Sequence, residues 1–148
     1  MRVYPDASFL VSWLYRGDVN NARARTWFNA HQTDDWVISD WSWFESVNAL
    51  RSLCLVSGGP RRDLIEGLRR YFKHLLRVGP FELERVEWDE VLKDANQIST
   101  GFAARQRARA ADTLHVVILE QVQPDVFVSG DRDQTLLARA RGFNAVQF

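Results

Sequence analysis

The chain has 148 residues, 46% of them apolar and 26% charged, with only 8 Gly and 4 Pro. That composition belongs to a folded domain and excludes disorder, a collagen-like repeat and a linker-rich chain. At ~150 residues per domain the length predicts one domain, residues 1–148, which buries ~70% of its unfolded surface without staples. Basic and acidic residues balance at 19 each, so a globally basic nucleic-acid coat is excluded. All the basic residues except Lys73 and Lys93 are arginine; its planar fork suits phosphate, although a codon bias produces the same ratio. The lone Cys54 excludes an intramolecular disulfide and supplies no metal-binding pair. No apolar run approaches the ~18 residues of a membrane span, and no signal-peptide pattern opens the chain. The expectation is a soluble, cytoplasmic protein without a membrane partner.

Helical periods alternate with short apolar runs along the chain, the rhythm of an α/β sheet. Residues 2–4 predict a first strand, ended by Pro5. Phe9, Leu10, Trp13 and Leu14 then share a helical face, with Asp6 or Ser8 available as its cap, and Gly17-Asp18 breaks the helix. A second helix carries Ala24, Trp27, Phe28 and His31, and residues 36–39 predict a second strand. Asp40 reads as the N-cap of a helix bearing Trp43, Phe44, Val47 and Leu50. Ser57-Gly58-Gly59-Pro60 is the clearest break, and a proline there suits the start of the next helix. That helix spans about residues 61–76, with Leu64, Leu68, Tyr71, Phe72 and Leu75 inward.

Phe81, Leu83 and Val86 suggest a short third strand, and Asp89 a cap for a helix with Val91, Leu92, Ala95 and Ile98. A further helix starts at about 103 or later and ends at 121, placing Ala111, Leu114, Ile118 and Gln121 on one face. Residues 125–129 make the strongest strand. A helix with Leu136, Leu137 and Ala140 follows, stopped by Gly142. Residues 145–148 predict a last strand. No internal repeat or low-complexity segment interrupts the sequence.

In an open parallel sheet, ligands bind beyond the carboxyl ends of the strands, so the polar residues that end strands matter most. Asp6 ends the first strand, and Ser129-Gly130-Asp131 ends the fourth. Glu45 and Asp112 lie in mostly apolar helical surroundings. Taken singly, each acid has a structural explanation. Asp6 and Asp131 suit helix caps, Glu45 suits a helix first turn, and Asp112 in mid-helix has Arg109 within pairing range. Taken together they point elsewhere. Two carboxylates ~5 Å apart repel by ~3 kcal/mol at an effective dielectric of ~20, so four in one place call for a cation. Oxygen donors without a Cys or His cluster select a hard ion such as Mg²⁺ or Mn²⁺. Phosphodiester hydrolysis is the reaction such a site fits.

Four segments carry a resemblance. Tyr4-Pro5-Asp6-Ala7-Ser8, the run from Ser39 to Leu50 around Glu45, Ala111-Asp112-Thr113-Leu114-His115 and Ser129-Gly130-Asp131-Arg132-Asp133 occur in this order. Their sequence of acids resembles the PIN-domain nucleases, most closely the VapC-type ribonuclease toxins of bacterial toxin–antitoxin pairs, over essentially the whole chain. Each segment is weak alone; the ordered set is specific. The resemblance implies a three-layer α/β/α sandwich around a mainly parallel, twisted sheet of four to five strands. It implies Mg²⁺- or Mn²⁺-dependent endoribonuclease activity, with Asp6 and Asp112 as direct metal ligands and Glu45 and Asp131 binding directly or through water. Ser8 and Ser129 would support Asp6 and the fourth acid, and Asp133 would support the pocket or, preferably, cap the last helix. His115 is expected to be structural. Pro5 and Thr113 depart from the family pattern without removing a ligand.

Arginines would hold the RNA backbone, with Arg109 and Arg132 the foremost candidates and Arg105, Arg107 and Arg139 nearby. Exposed members of Trp13, Trp36 and Trp41 would stack on bases. The helices over 22–76 resemble the region where the family forms a homodimer and takes up its antitoxin, which can project an arginine into the acidic pocket. Two rival readings remain. An aspartate-nucleophile phosphatase of the haloacid dehalogenase type lacks its second acid, since Ser8 stands there, and a receiver domain lacks its paired acids and lysine. A non-catalytic PIN-type RNA-binding or scaffold domain would keep the fold and lack the activity.

Overall fold

Val3 and Tyr4 are adjacent in the chain, fully buried, and belong to opposite halves of the core. The same alternation holds at Trp36, Val37 and Ile38, and at Val126, Phe127 and Val128. Strands buried on both faces in this way need helices above and below. The computed structural model describes residues 1–101 and 108–148 and contains that arrangement. Five strands, β1 (Arg2–Pro5), β2 (Asp35–Ser39), β3 (Phe81–Glu84), β4 (Val126–Ser129) and β5 (Ala145–Gln147), form one sheet in the order β3-β2-β1-β4-β5. Every neighbouring pair is parallel.

Seven helices are described: α1 (Ala7–Leu14), α2 (Asn21–Ala30), α3 (Asp40–Leu53), α4 (Arg62–Val78), α5 (Trp88–Thr100), α6 (Ala110–Val122) and α7 (Arg132–Ala140). Helices α1 to α4 build one half of the core and α5 to α7 the other. The expected three-layer sandwich is therefore present. Its larger half is aromatic. Phe9 stacks on Trp36 at 5.4 Å and meets Phe148 and Trp27 edge-on at 5.0 and 5.7 Å. Trp13 packs on Phe28 and Phe81. Trp13 and Trp36 are thus core residues without a face for RNA bases, whereas Trp41 is half-buried. Among the described residues, no helix is long and apolar enough to cross a membrane.

Several local expectations need correction. Ser39, not Asp40, caps α3, because the helix starts directly from β2 with no intervening loop. The Ser39 hydroxyl accepts from the Ser42 N–H at 3.1 Å, and the Ser42 hydroxyl accepts from the Ser39 N–H at 3.0 Å. Asp89 does not cap α5 but lies in its first turn behind Glu87. The strand expected through Val86 ends at Glu84, although Val86 is buried. The inward faces are also narrower than periodicity suggested: Phe44, Leu64, Tyr71, Leu92 and Leu136 are exposed, and Ile65 takes the buried place beside Phe72 and Leu75 on α4. A 3.6-residue period leaves positions flanking the stripe ambiguous, and the packing partner decides them. The early part of the helix expected from about residue 103 lies outside the described residues; its described part is α6.

Phe9 joins α1 to the sheet from a fully buried position. Phe9→Ala is expected to cost ~3–5 kcal/mol, measured as a lowered urea midpoint at unchanged m value. A loss below ~1 kcal/mol would mean that the aromatic cluster does not hold this layer.

Candidate active site

The strand order reverses between β1 and β4, which lie side by side: β2 and β3 continue on one flank and β5 on the other. At such a reversal the following segments diverge and leave a crevice at the carboxyl edge. Asp6 is the first residue past β1, and its N–H still donates to the Val128 carbonyl at 3.0 Å. Its side chain caps α1 by accepting from the Phe9 N–H at 2.9 Å. The Ser8 and Ser129 hydroxyls each donate to the same carboxylate, both at 2.7 Å. Ser8 Oγ in turn accepts from the Gly130 N–H at 2.7 Å. A Cβ on residue 130 would lie 3.1 Å from Ser8 Oγ and 3.0 Å from the Phe148 ring, so glycine permits this approach. Asp6 is only 3% exposed. Desolvation raises its pKa above the ordinary 3.8, against the opposing pull of His115, the Phe9 N–H and the two serines.

Asp112 is not mid-helical: it lies in the first turn of α6, where an acid is favoured. It is 4% exposed and accepts from the Arg109 N–H at 2.8 Å. Asp131 caps α7, its Oδ1 accepting from the N–H groups of Asp133 and Gln134 at 2.8 and 3.1 Å. Capping therefore belongs to Asp131; Asp133 is an exposed first-turn residue that supplies only its N–H. Capping and lining the crevice are compatible, because Asp131 Oδ2 remains available and receives Arg109 Nη2 at 2.9 Å.

Glu45 falls in the second turn of α3, not the first, and its Oε2 lies 2.7 Å from His115 Nε2. His115 is 1% exposed and its other nitrogen is 3.5 Å from the Tyr4 hydroxyl, which bonds Ser39 at 2.7 Å. Burial pushes the Tyr4 pKa well above its ordinary 10, so that hydroxyl keeps its proton. A carboxylate partner requires the His115 proton on Nε2. His115 ties the Glu45 carboxylate of one helical layer to α6 of the other.

Asp6, Glu45, Asp112 and Asp131 line one cavity of about 420 Å³, together with Ser8, Gly130 and Arg109. The fold brings all four sequence-distant acids to one place. Ser12, Asp18, Asn20 and Gln134 line it as well, and the sequence reading passed over them. Asp18 looked like a helix breaker; its Oδ1 accepts from Ser12 Oγ at 2.9 Å and from the Asn20 N–H at 2.8 Å. No local pattern marks such a residue, since only the α1–α2 turn brings it to the cavity.

The donor chemistry suits a hard divalent cation. Five carboxylates face one cavity, and Arg109, with a 74% exposed side chain, is the one cation lining it among the described residues. Two of those carboxylates, Asp6 and Asp112, are almost wholly removed from water. Among the described residues, no three Asp, Glu, His or Cys side chains converge closely enough to share an ion in this arrangement. Of the other arginines, Arg132 is exposed beside Asp131, Arg139 donates to the Ala145 carbonyl at 2.8 Å, and Arg105 and Arg107 lie outside the described residues.

Residues 3–140 match the family model of the PIN domain. The chain belongs to the PIN domain family. Solved structures share its fold over nearly their whole length at low sequence identity. The sarcin–ricin-loop-cleaving toxin VapC20 of Mycobacterium tuberculosis superposes with a TM-score of 0.70 at 16% identity, covering 99% of each chain. FitAcB from Neisseria gonorrhoeae gives 0.68 at 14% identity, covering 98% of this chain and 96% of its own. FitAB bound to an IR36 DNA fragment gives 0.70 at 16%, covering 98% and 94%. No curated protein sequence matches significantly.

The raised pKa of Asp6 in this PIN domain has a signed consequence for stability. Between the unfolded and folded pKa values the native state binds more protons, so this group's contribution falls as pH rises through that interval. An ionised Asp6 therefore weakens the ion-free protein at neutral pH. Asp6→Asn keeps the cap to the Phe9 N–H and is expected to raise the melting temperature at pH 7 in EDTA. The gain should fade as pH falls through the raised native pKa toward ~4 and be absent below it. A lower melting temperature at pH 7 would mean that the hydrogen bonds to the carboxylate outweigh its desolvation.

Proposed function

We propose that this PIN domain is a divalent-metal-dependent endoribonuclease, the toxin of a type II toxin–antitoxin pair, acting in the cytoplasm as one domain over residues 1–148. The observation that carries the reading is the convergence of Asp6, Glu45, Asp112 and Asp131 on one cavity at the strand reversal. The fold shared with a toxin described as cleaving the sarcin–ricin loop supports RNA as the substrate, and the ordered acidic segments that resemble the VapC-type toxins support an antitoxin partner.

Asp6 and Asp112 would hold Mg²⁺ or Mn²⁺ directly, and Glu45 and Asp131 would complete the shell directly or through water. When bound, the ion supplies Lewis-acid activation of water and charge stabilisation at the phosphate. The chain's own part is positional. Ser8 and Ser129 fix both Asp6 oxygens, the α7 cap fixes Asp131, and His115 fixes Glu45. Arg132, exposed beside Asp131, contacts the RNA backbone, and Arg109 contributes once it is released from the acids.

Purified protein incubated with total cellular RNA and Mg²⁺ is expected to release discrete fragments. EDTA and Asp112→Asn should each abolish them with the circular dichroism spectrum unchanged. Absent fragments from wild type, or the same fragments in all lanes, would leave the non-catalytic RNA-binding domain as the reading. The homodimer is proposed to form through the helices over 22–76, which expose Phe44, Leu64 and Tyr71. Sedimentation at micromolar concentration should give the dimer mass, and Tyr71→Asp with Leu64→Asp the monomer mass; a wild-type monomer would remove the dimer.

A further inference from the structure

Arg109 sits where the acids need a cation. It precedes α6, and its backbone N–H and Nε face the same Asp112 oxygen, at 2.8 and 3.5 Å. Its Nη2 reaches across to Asp131 Oδ2 at 2.9 Å. One residue therefore spans two acids that are 19 positions apart in sequence and come from different helices. The oxygens concerned are informative. Asp131 Oδ1 is committed to the N-terminus of α7, so Oδ2 is the oxygen left for a ligand, and the guanidinium has it.

We propose that Arg109 is a built-in competitor of the divalent ion: its guanidinium and the ion exclude each other at Asp131 Oδ2. The inference rests on the metal-dependent reading above and adds a residue that sets the ion affinity of the pocket. The side chain is 74% exposed, so its contact is screened and readily exchanged for water. A doubly charged ion can displace such a contact, whereas a buried guanidinium would block the site. Once displaced, the guanidinium lies at the cavity rim, where an RNA phosphate offers it a new bidentate partner.

The test is a double-mutant cycle on Mn²⁺ affinity, measured by isothermal titration without RNA. Arg109→Met keeps the aliphatic stem and is expected to tighten Mn²⁺ binding roughly 1.5- to fivefold, the range of an exposed ion pair. In an Asp131→Asn background the gain should be clearly smaller, because the contested oxygen is no longer charged and only the Arg109 contact to Asp112 remains. Ion-free Arg109→Met should also melt lower than wild type while showing a larger Mn²⁺-induced rise. Equal or weaker binding by Arg109→Met overturns the proposal. So does a gain of equal size in the Asp131→Asn background, which would reduce Arg109 to a distant positive charge. If wild type binds no Mn²⁺, the metal-dependent reading falls and the competition with it. Binding by wild type that is unaffected by Arg109→Met removes the competition alone.

Discussion

A carboxylate held out of water at the point where two parallel strands part is the constraint around which this structure is arranged. Asp6 sits at the end of β1 with its backbone still paired to β4, and both of its oxygens are engaged by the chain. Those contacts dictate the neighbourhood. Ser8 has to turn back over Asp6, Gly130 has to lack a Cβ to approach Ser8, and β4 has to end in a hydroxyl. The start of α1 and the end of β4 both meet the one acid.

Capping and cavity lining are carried by the same groups here. Asp6 and Asp131 are helix caps and also line the cavity, with one oxygen of Asp131 serving each purpose. Asp112 sits in the first turn of α6, where the helix dipole favours it. Helix N-termini thus offset part of the charge of three acids before any ion or arginine is considered. The remainder is large, since five carboxylates and one exposed guanidinium line the cavity. Burial disfavours the charge on Asp6 in particular, so keeping an ionised acid there weighs against stability.

The cavity also depends on both helical layers. Glu45 comes from α3 in the aromatic layer, Asp112 from α6 in the opposite one, and Asp6 and Asp131 from the sheet edge between them. His115 closes that arrangement by reaching Glu45 from α6 at 2.7 Å. Packing in either layer therefore sets the spacing of the acids: Phe148 lines the cavity, and Phe9 and Trp36 pack behind it without lining it.

The order of helices and strands was legible in the sequence, because period-2 and period-3.6 patterns are local properties of neighbouring side chains. The four acids were legible through their ordered segments, and Asp6 and Asp131 through their places at strand ends. Other features were beyond reach for physical reasons. Whether Leu64 or Ile65 faces inward depends on the partner helix, and whether Asp40 or Ser39 caps α3 depends on the strand running straight into it. Asp18 and Asn20 reach the cavity only because α1 and α2 fold beside it. Arg109 paired with Asp112 in sequence, but its second contact, to Asp131, required α6 and α7 to begin side by side. Chemistry and local periodicity are written in the chain; which charges share a space is decided by packing, since Coulomb energy depends on distance in the fold and not in the sequence.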